Sequence, residues 1–352
     1  MSTRIAIRHI GFLLPGSYPD DDPFDGLEKT LQLFELGERL GYDSAWVRQR
    51  HLEHGVSSAS AFLAAASQRT RRIALGTAVI PLGYESPFRL AEDLSTVDVL
   101  SRGRLNVGVS AGTPPHADLL GPLVFDGDWS GYDLSHNRVL RFVDNLRGHY
   151  IGPEDAVIAA QGDAHRSRQR PRLHPHADGL IDRVWYGGGS LASARWAGEN
   201  GLNLMIGNLT KGETTDVFFD AQLAQLDAFQ AGREGAGSAA RRVAVGRVIV
   251  PTDSADAARR RKYADYAASR HERTLAPHGP RRTLFHPDLV GTSGEILARL
   301  HSDPVLARTA ELRLELPYEF TQDEYGQILH DFVTRIAPEL GWRPAPAEAA
   351  NA

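Results

Sequence analysis

A chain of 352 residues with 42% hydrophobic content can bury a large core, either as one big α/β barrel or as two ordinary domains. Its 39 basic and 44 acidic residues are interspersed and leave a formal charge of −5, which excludes the clustered basic face that a nucleic-acid partner requires. The absence of cysteine excludes disulfides, thiolate nucleophiles and cysteine-ligated metals. No apolar run approaches the ~20 residues that span a bilayer, so a cytoplasmic protein with no membrane partner is expected.

Apolar strands alternate with segments of helical period along nearly the whole chain. Ile5 to Leu14 reads as a first strand and Leu27 to Leu40 as a helix ended by Gly41. Ser44 to Arg48 is a second strand, followed by an alanine-rich helix from Ser57 to Gln68. Ile73 to Ile80 is a third strand. Pro81, Gly83 and Pro87 break the chain before an amphipathic helix that ends in Ser101-Arg-Gly103, where glycine suits a left-handed cap. The fourth strand follows Arg104. Asn137 to Arg147 is helical, and 152–182 is a long irregular stretch. Val184 to Gly187 is a fifth strand, Ala192 to Glu199 its helix, and Leu202 to Ile206 a sixth strand. Thr214 to Gly232 is a helix, Val243 to Val250 a seventh strand, and Ser254 to Arg270 another helix. Thr309 to Glu315 is the eighth strand, and Thr321 to Ile336 closes with a helix opened by the capping pattern Thr321-Gln-Asp-Glu324.

Eight strands alternating with helices predict one (β/α)8 TIM barrel over residues 1–341, with 342–352 a flexible tail. In such a barrel the chemistry sits at the C-terminal ends of the strands. That rule selects Leu14 to Ser17, Arg48 to Gly55, Ala78 to Gly83, Ser110 to His116, Gly187 to Ser190 and Ile206 to Leu209. The run Arg48-Gln-Arg-His-Leu-Glu-His54 is costly to bury and marks a polar pocket, unless it is a surface loop whose charges pair with each other. Gly187-Gly-Gly-Ser190 lets backbone approach an anion ahead of a helix N-terminus, although a tight turn explains the glycines equally well. His174-Pro-His176 has a chelating spacing but no carboxylate cluster beside it. No metal site is expected, and a lid facing substrate is the better reading of that segment.

The Asp98, Leu100-Ser101 and Gly103-Arg104 pattern, read with the Arg50-His51 loop and the Gly187 to Ser190 turn, resembles the luciferase-like flavin-dependent monooxygenases. The resemblance runs from about Ile5 to Ala337. It implies a two-component enzyme that takes reduced FMN from a separate NAD(P)H:flavin reductase and oxygenates a small organic substrate through a flavin C4a-peroxide. It implies His51 as the acid/base group and Arg50 as a source of positive charge, because the family's Glu-His-His cluster stands here as Gln49, Arg50 and His51, and arginine does not exchange protons at neutral pH. Glu53 and His54 would lie just behind them. The FMN phosphate would meet Gly188, Gly189, Ser190 and Ser193, with a further contact from Arg138, since a second family arginine is Ala111 here. The ring would lie across Ala78 and Val79, joined by a cis peptide bond, and near Ser110. A homodimer is expected. Two other readings stay open: an F420-dependent oxidoreductase of the same fold, and a non-catalytic flavin-binding protein.

Overall fold

The computed structural model describes residues 5–159, 168–237 and 241–344. Eight parallel strands close a barrel in strict chain order. They are β1 (His9–Leu14), β2 (Ser44–Val47), β3 (Ala74–Pro81), β4 (Leu105–Ser110), β5 (Val184–Gly187), β6 (Asn203–Ile206), β7 (Val243–Arg247) and β8 (Glu311–Glu315). Around and between them lie α1 (Pro23–Leu40), α2 (Ala59–Arg69), α3 (Pro87–Leu100), α4 (Ala117–Val124), α5 (His136–Leu146), α6 (Leu191–Glu199), α7 (Phe218–Gly235), α8 (Ala257–His271), α9 (Ser293–His301) and α10 (Gln322–Asp331). The expected TIM barrel is therefore the observed fold. Its last strand pairs with its first, Gly11 beside Arg313.

Local chemistry sets the boundaries. Pro23 opens α1, the Asp22 carboxylate accepts the Asp25 N–H, and Gly41 ends the helix at φ 88°. Thr321 and Glu324 form the expected reciprocal cap on α10. The Asp98 to Arg104 pattern proves to be a staple at the N-terminal end of the barrel. Asp98 accepts the Leu105 N–H at 3.1 Å and the Arg183 guanidinium at 2.7 and 3.0 Å. Arg104 donates to Thr70 Oγ1 at 2.9 Å and to the Ile73 carbonyl at 2.7 Å. This face of a TIM barrel carries stability rather than chemistry.

The lumen is a packed core of large side chains facing glycines. Leu13, Trp46, Trp185, Met205 and Ala244 form its cluster, with Ala78 and Val79 packed against it. The two indoles meet edge to face at 5.8 Å. A Cβ on Gly76 would lie 2.1 Å from Trp46, and one on Gly246 would lie 2.1 Å from the Glu315 carboxylate, so both positions need glycine. Polar groups share this interior. Arg313 is buried with two guanidinium nitrogens lacking a protein partner, and desolvation lowers its pKa to about 10. Its guanidinium lies 5.2 Å from the Trp46 ring centre.

Several expected elements are redrawn. The run Val243 to Val250 breaks at Val248, whose N–H goes to Asn208 Oδ1 at 3.1 Å. Beyond it Ile249–Pro251 pairs with Leu289–Gly291 outside the barrel. Burial on both sides hides such a break from hydropathy. The helix expected to reach Ile336 ends at Asp331 and continues as a π-helical turn, Phe332–Ile336. α4 stands in the stretch after β4 where no helix is expected, with Pro122 inside it. Between α8 and β8 the Thr292–Glu295 capping box opens α9. No described helix is long and apolar enough to cross a membrane.

Candidate active site

A cavity of about 230 Å³ opens at the C-terminal mouth of the barrel. The loop after β2 supplies one wall with Arg48, Gln49, Arg50, His51 and Glu53. β3 supplies Ala78, Val79 and Pro81, and the end of β4 supplies Ser110. The register between β3 and β4 shifts between Thr77 and Ile80, which frees Ala78 and Val79 from the ladder. Their peptide bond is cis, at the position expected from the sequence. A larger groove of about 790 Å³ lies outside the barrel beside α8 and α9, but its one acid, Asp288, is bound to Arg270. The mouth cavity stands at the C-terminal ends of the strands, where barrel chemistry sits, and is the better candidate.

The polar wall is tied together. Gln49 is buried; its Oε1 accepts the Ala59 N–H at 3.1 Å, and its Nε2 donates to Glu85 at 2.7 Å and reaches His51 Nε2 at 3.2 Å. The His51 ring meets Tyr84 edge to face at 5.1 Å. Burial lowers its pKa, the Glu85 charge opposing. Arg50 donates to the Tyr318 hydroxyl at 3.2 Å and lies 3.6 Å from Glu53. Arg48 pairs with Glu315 at the end of β8 at 3.0 Å. His54, expected just behind these groups, is exposed beside Asp20 and does not line the cavity.

Val79 packs against the glycine turn after β5: a Cβ on Gly187 would lie 2.9 Å from Val79 Cγ1. Ser190 caps α6, accepting the Ser193 N–H at 3.1 Å. A Cβ on Gly189 would meet nothing within 4 Å, so the turn has open space in front of it. The Leu191 N–H donates to the exposed Glu213 carboxylate at 3.2 Å, showing that this helix start accepts an anion. These donors fit a phosphate. Arg138, expected to join them, instead lies buried with Nε donating to the Leu82 carbonyl at 2.9 Å and Nη2 to the Glu85 carbonyl. It holds the turn that carries Tyr84 and Glu85.

Residues 160–167 of the long loop lie outside the described set. Of its described part, none lines the cavity, and Arg170 stacks on Tyr150 at 3.9 Å. The lid expected of His174 to His176 is therefore not over this site; His176 contacts Asp178 at 3.0 Å. Among the described residues no cluster of three or more histidines and carboxylates suits a metal. His116 falls in the range selected after β4 and lines the cavity, whereas Tyr84, Glu85 and Tyr318 lie outside every selected range. A tyrosine or a glutamate after a strand carries no pattern of its own; only the strand-end rule applied after β3 and β8 would have found them.

The fold and this mouth define a TIM-barrel protein with a polar cavity at the C-terminal ends of its strands. The luciferase-like monooxygenase family model matches residues 8–301, and the chain belongs to that family. Two curated relatives are similar over shorter stretches. A 4-hydroxyprotoasukamycin monooxygenase of Streptomyces nodosus subsp. asukaensis is 40% identical over 106 residues, 30% of this chain and 29% of its own length. A limonene 1,2-monooxygenase of Rhodococcus erythropolis is 40% identical over 103 residues, 29% of this chain and 27% of its own. The chain thus spans under a third of the length of these relatives.

Among solved structures, the oxygenating constituent of 3,6-diketocamphane monooxygenase from Pseudomonas putida, in complex with FMN, superposes with a TM-score of 0.67 at 16% identity, covering 94% of this chain and 98% of that one. An F420-dependent secondary alcohol dehydrogenase gives 0.63 at 17% identity, covering 95% and 99%. At these identities the likeness concerns the fold.

Proposed function

We propose that the protein is a two-component monooxygenase, receiving reduced FMN from a separate NAD(P)H:flavin reductase and inserting one atom of molecular oxygen into a small organic substrate. The observation that carries this reading is the polar mouth cavity, lined by Ala78, Val79 and Ser110, together with the open glycine turn at the start of α6. The cavity would take the planar ring and the turn the terminal phosphate. Bound reduced flavin supplies the electrons that activate oxygen. The chain's residues do the rest. Gly188, Gly189, Ser190 and Ser193 hold the phosphate, and Ala78, Val79 and Ser110 face the ring. Arg50 supplies positive charge beside it, His51 presents a ring nitrogen to the reacting face, and Tyr84 with Pro115 screens the cavity from water. Arg138 acts through the turn it holds.

FMN is favoured over F420 because the two curated relatives are named monooxygenases, and reduced flavin, unlike a reduced deazaflavin, activates oxygen. The test is anaerobic titration of the pure protein with reduced FMN and with reduced F420, followed by mixing with oxygenated buffer. Tight FMN binding and flavin reoxidation altered from that of free reduced FMN are expected. Binding of F420 alone, or of neither, overturns the proposal.

A further inference from the structure

We propose that Gln49 is a positioning residue that holds His51 as the neutral tautomer protonated on Nδ1, so that His51 serves the site as a hydrogen-bond donor and not as a proton exchanger. The function of that donor rests on the reading above; the tautomer does not.

The argument starts from the Gln49 amide, whose orientation is settled by its neighbours. The Ala59 N–H at the start of α2 and the Glu85 carboxylate approach its two ends at 3.1 and 2.7 Å. An N–H needs an acceptor and a carboxylate needs a donor, so Oε1 faces Ala59 and the NH2 group faces Glu85. The reversed amide would set donor against donor and acceptor against acceptor. The NH2 group has a second hydrogen, and His51 Nε2 lies 3.2 Å away. That ring nitrogen must therefore accept, and the proton of a neutral imidazole must be on Nδ1.

An imidazolium would put an N–H against the amide N–H2. Half-burial of the ring opposes the charge in the same direction. The charged groups around it come from several elements. Glu85 favours protonation from the turn after β3, but the Gln49 NH2 stands between, taking one carboxylate oxygen. Glu53 is engaged near Arg50 at 3.6 Å and His116 at 3.7 Å. Arg48 is paired with Glu315, and both arginines oppose an imidazolium. Among the described residues, Nδ1 has no protein partner, and the ring lines the cavity. A neutral Nδ1–H is too weak an acid to give its proton away near pH 7, but it donates well to an oxygen that gains negative charge.

The experiment is 15N NMR of the histidine rings in the ligand-free protein, with His51→Gln used to assign the signal among the 14 histidines. The expected spectrum shows His51 Nδ1 protonated and Nε2 unprotonated at pH 7, with its titration below that of an ordinary histidine. Gln49→Leu should release the tautomer and raise the pKa. Gln49→Glu, which offers an acceptor to Nε2, should stabilise the imidazolium and raise it further. A protonated Nε2 in the unaltered protein overturns the proposal without any variant, and so does a spectrum that neither substitution changes. In turnover, His51→Phe should lose on the order of 100-fold, the scale for one oxyanion donor, while His51→Asn, which keeps an N–H donor, recovers part of it. The expected spectrum in a protein that binds no flavin would leave the tautomer standing and sink the oxygenase reading alone.

Discussion

Ser190→Ala tests the anion seat directly. The hydroxyl accepts the Ser193 N–H at 3.1 Å and caps α6, so its removal costs about 1 kcal/mol of stability. If the same hydroxyl touches the FMN phosphate, binding loses a further hydrogen bond to a charged group, about 1.5–3 kcal/mol. That is about a 10- to 150-fold weaker Kd. Riboflavin has the ring without the phosphate, and its affinity should barely move. Ser190→Gly separates the two effects: glycine is tolerated at this cap within a few tenths of a kcal/mol, yet it lacks the hydroxyl. It should bind FMN as weakly as the alanine variant while melting like the unaltered protein. Calorimetric titration with both flavins, beside thermal unfolding, reads the two affinities and the stability of each variant. Equal weakening for FMN and riboflavin would refute the seat, because the loss would then come from a disturbed helix and not from a phosphate contact.

Three further outcomes are expected. Glu213→Gln removes the carboxylate that competes for the Leu191 amide, and FMN should bind about 2- to 5-fold tighter in a titration at low salt; unchanged affinity would place the phosphate elsewhere. Asp98→Ala strips Arg183 of its carboxylate and the Leu105 N–H of its acceptor, so denaturant unfolding should show a loss of about 3 kcal/mol with flavin affinity per folded molecule unchanged. His9 is half-buried, its Nε2 2.8 Å from Ser44 Oγ, and desolvation with the nearby Arg242 charge lowers its pKa to about 3. Between pH 6.5 and that value the unfolded chain binds the proton and the folded one does not. Stability is therefore whole above 6.5 and falls by up to about 1.4 kcal/mol per pH unit as the solution is acidified. His9→Gln should flatten the acid side of a plot of unfolding free energy against pH, and an unchanged slope would mean that the ring is hydrated in the folded state.

The sequence by itself determined the order of the eight barrel strands and of the helices other than α4 and α9, because hydrophobic period and the caps at Gly41, Gly103 and Thr321 are local properties. It also determined the residue types in the loops after β2 and β5, and through the family pattern it located Ala78 and Val79. It could not determine which partners those loops would meet. Arg138 is two residues into α5, and nothing in its neighbours along the chain says that it will seek the carbonyls of Leu82 and Glu85. The break at Val248 was hidden because both flanking runs are buried. The Gln49 amide has its orientation only because β2, α2 and the turn after β3 bring Ala59, Glu85 and His51 to it at once. Hydrogen bonds between residues far apart in the chain exist only when the barrel closes, and at this site they decide which atom carries the proton.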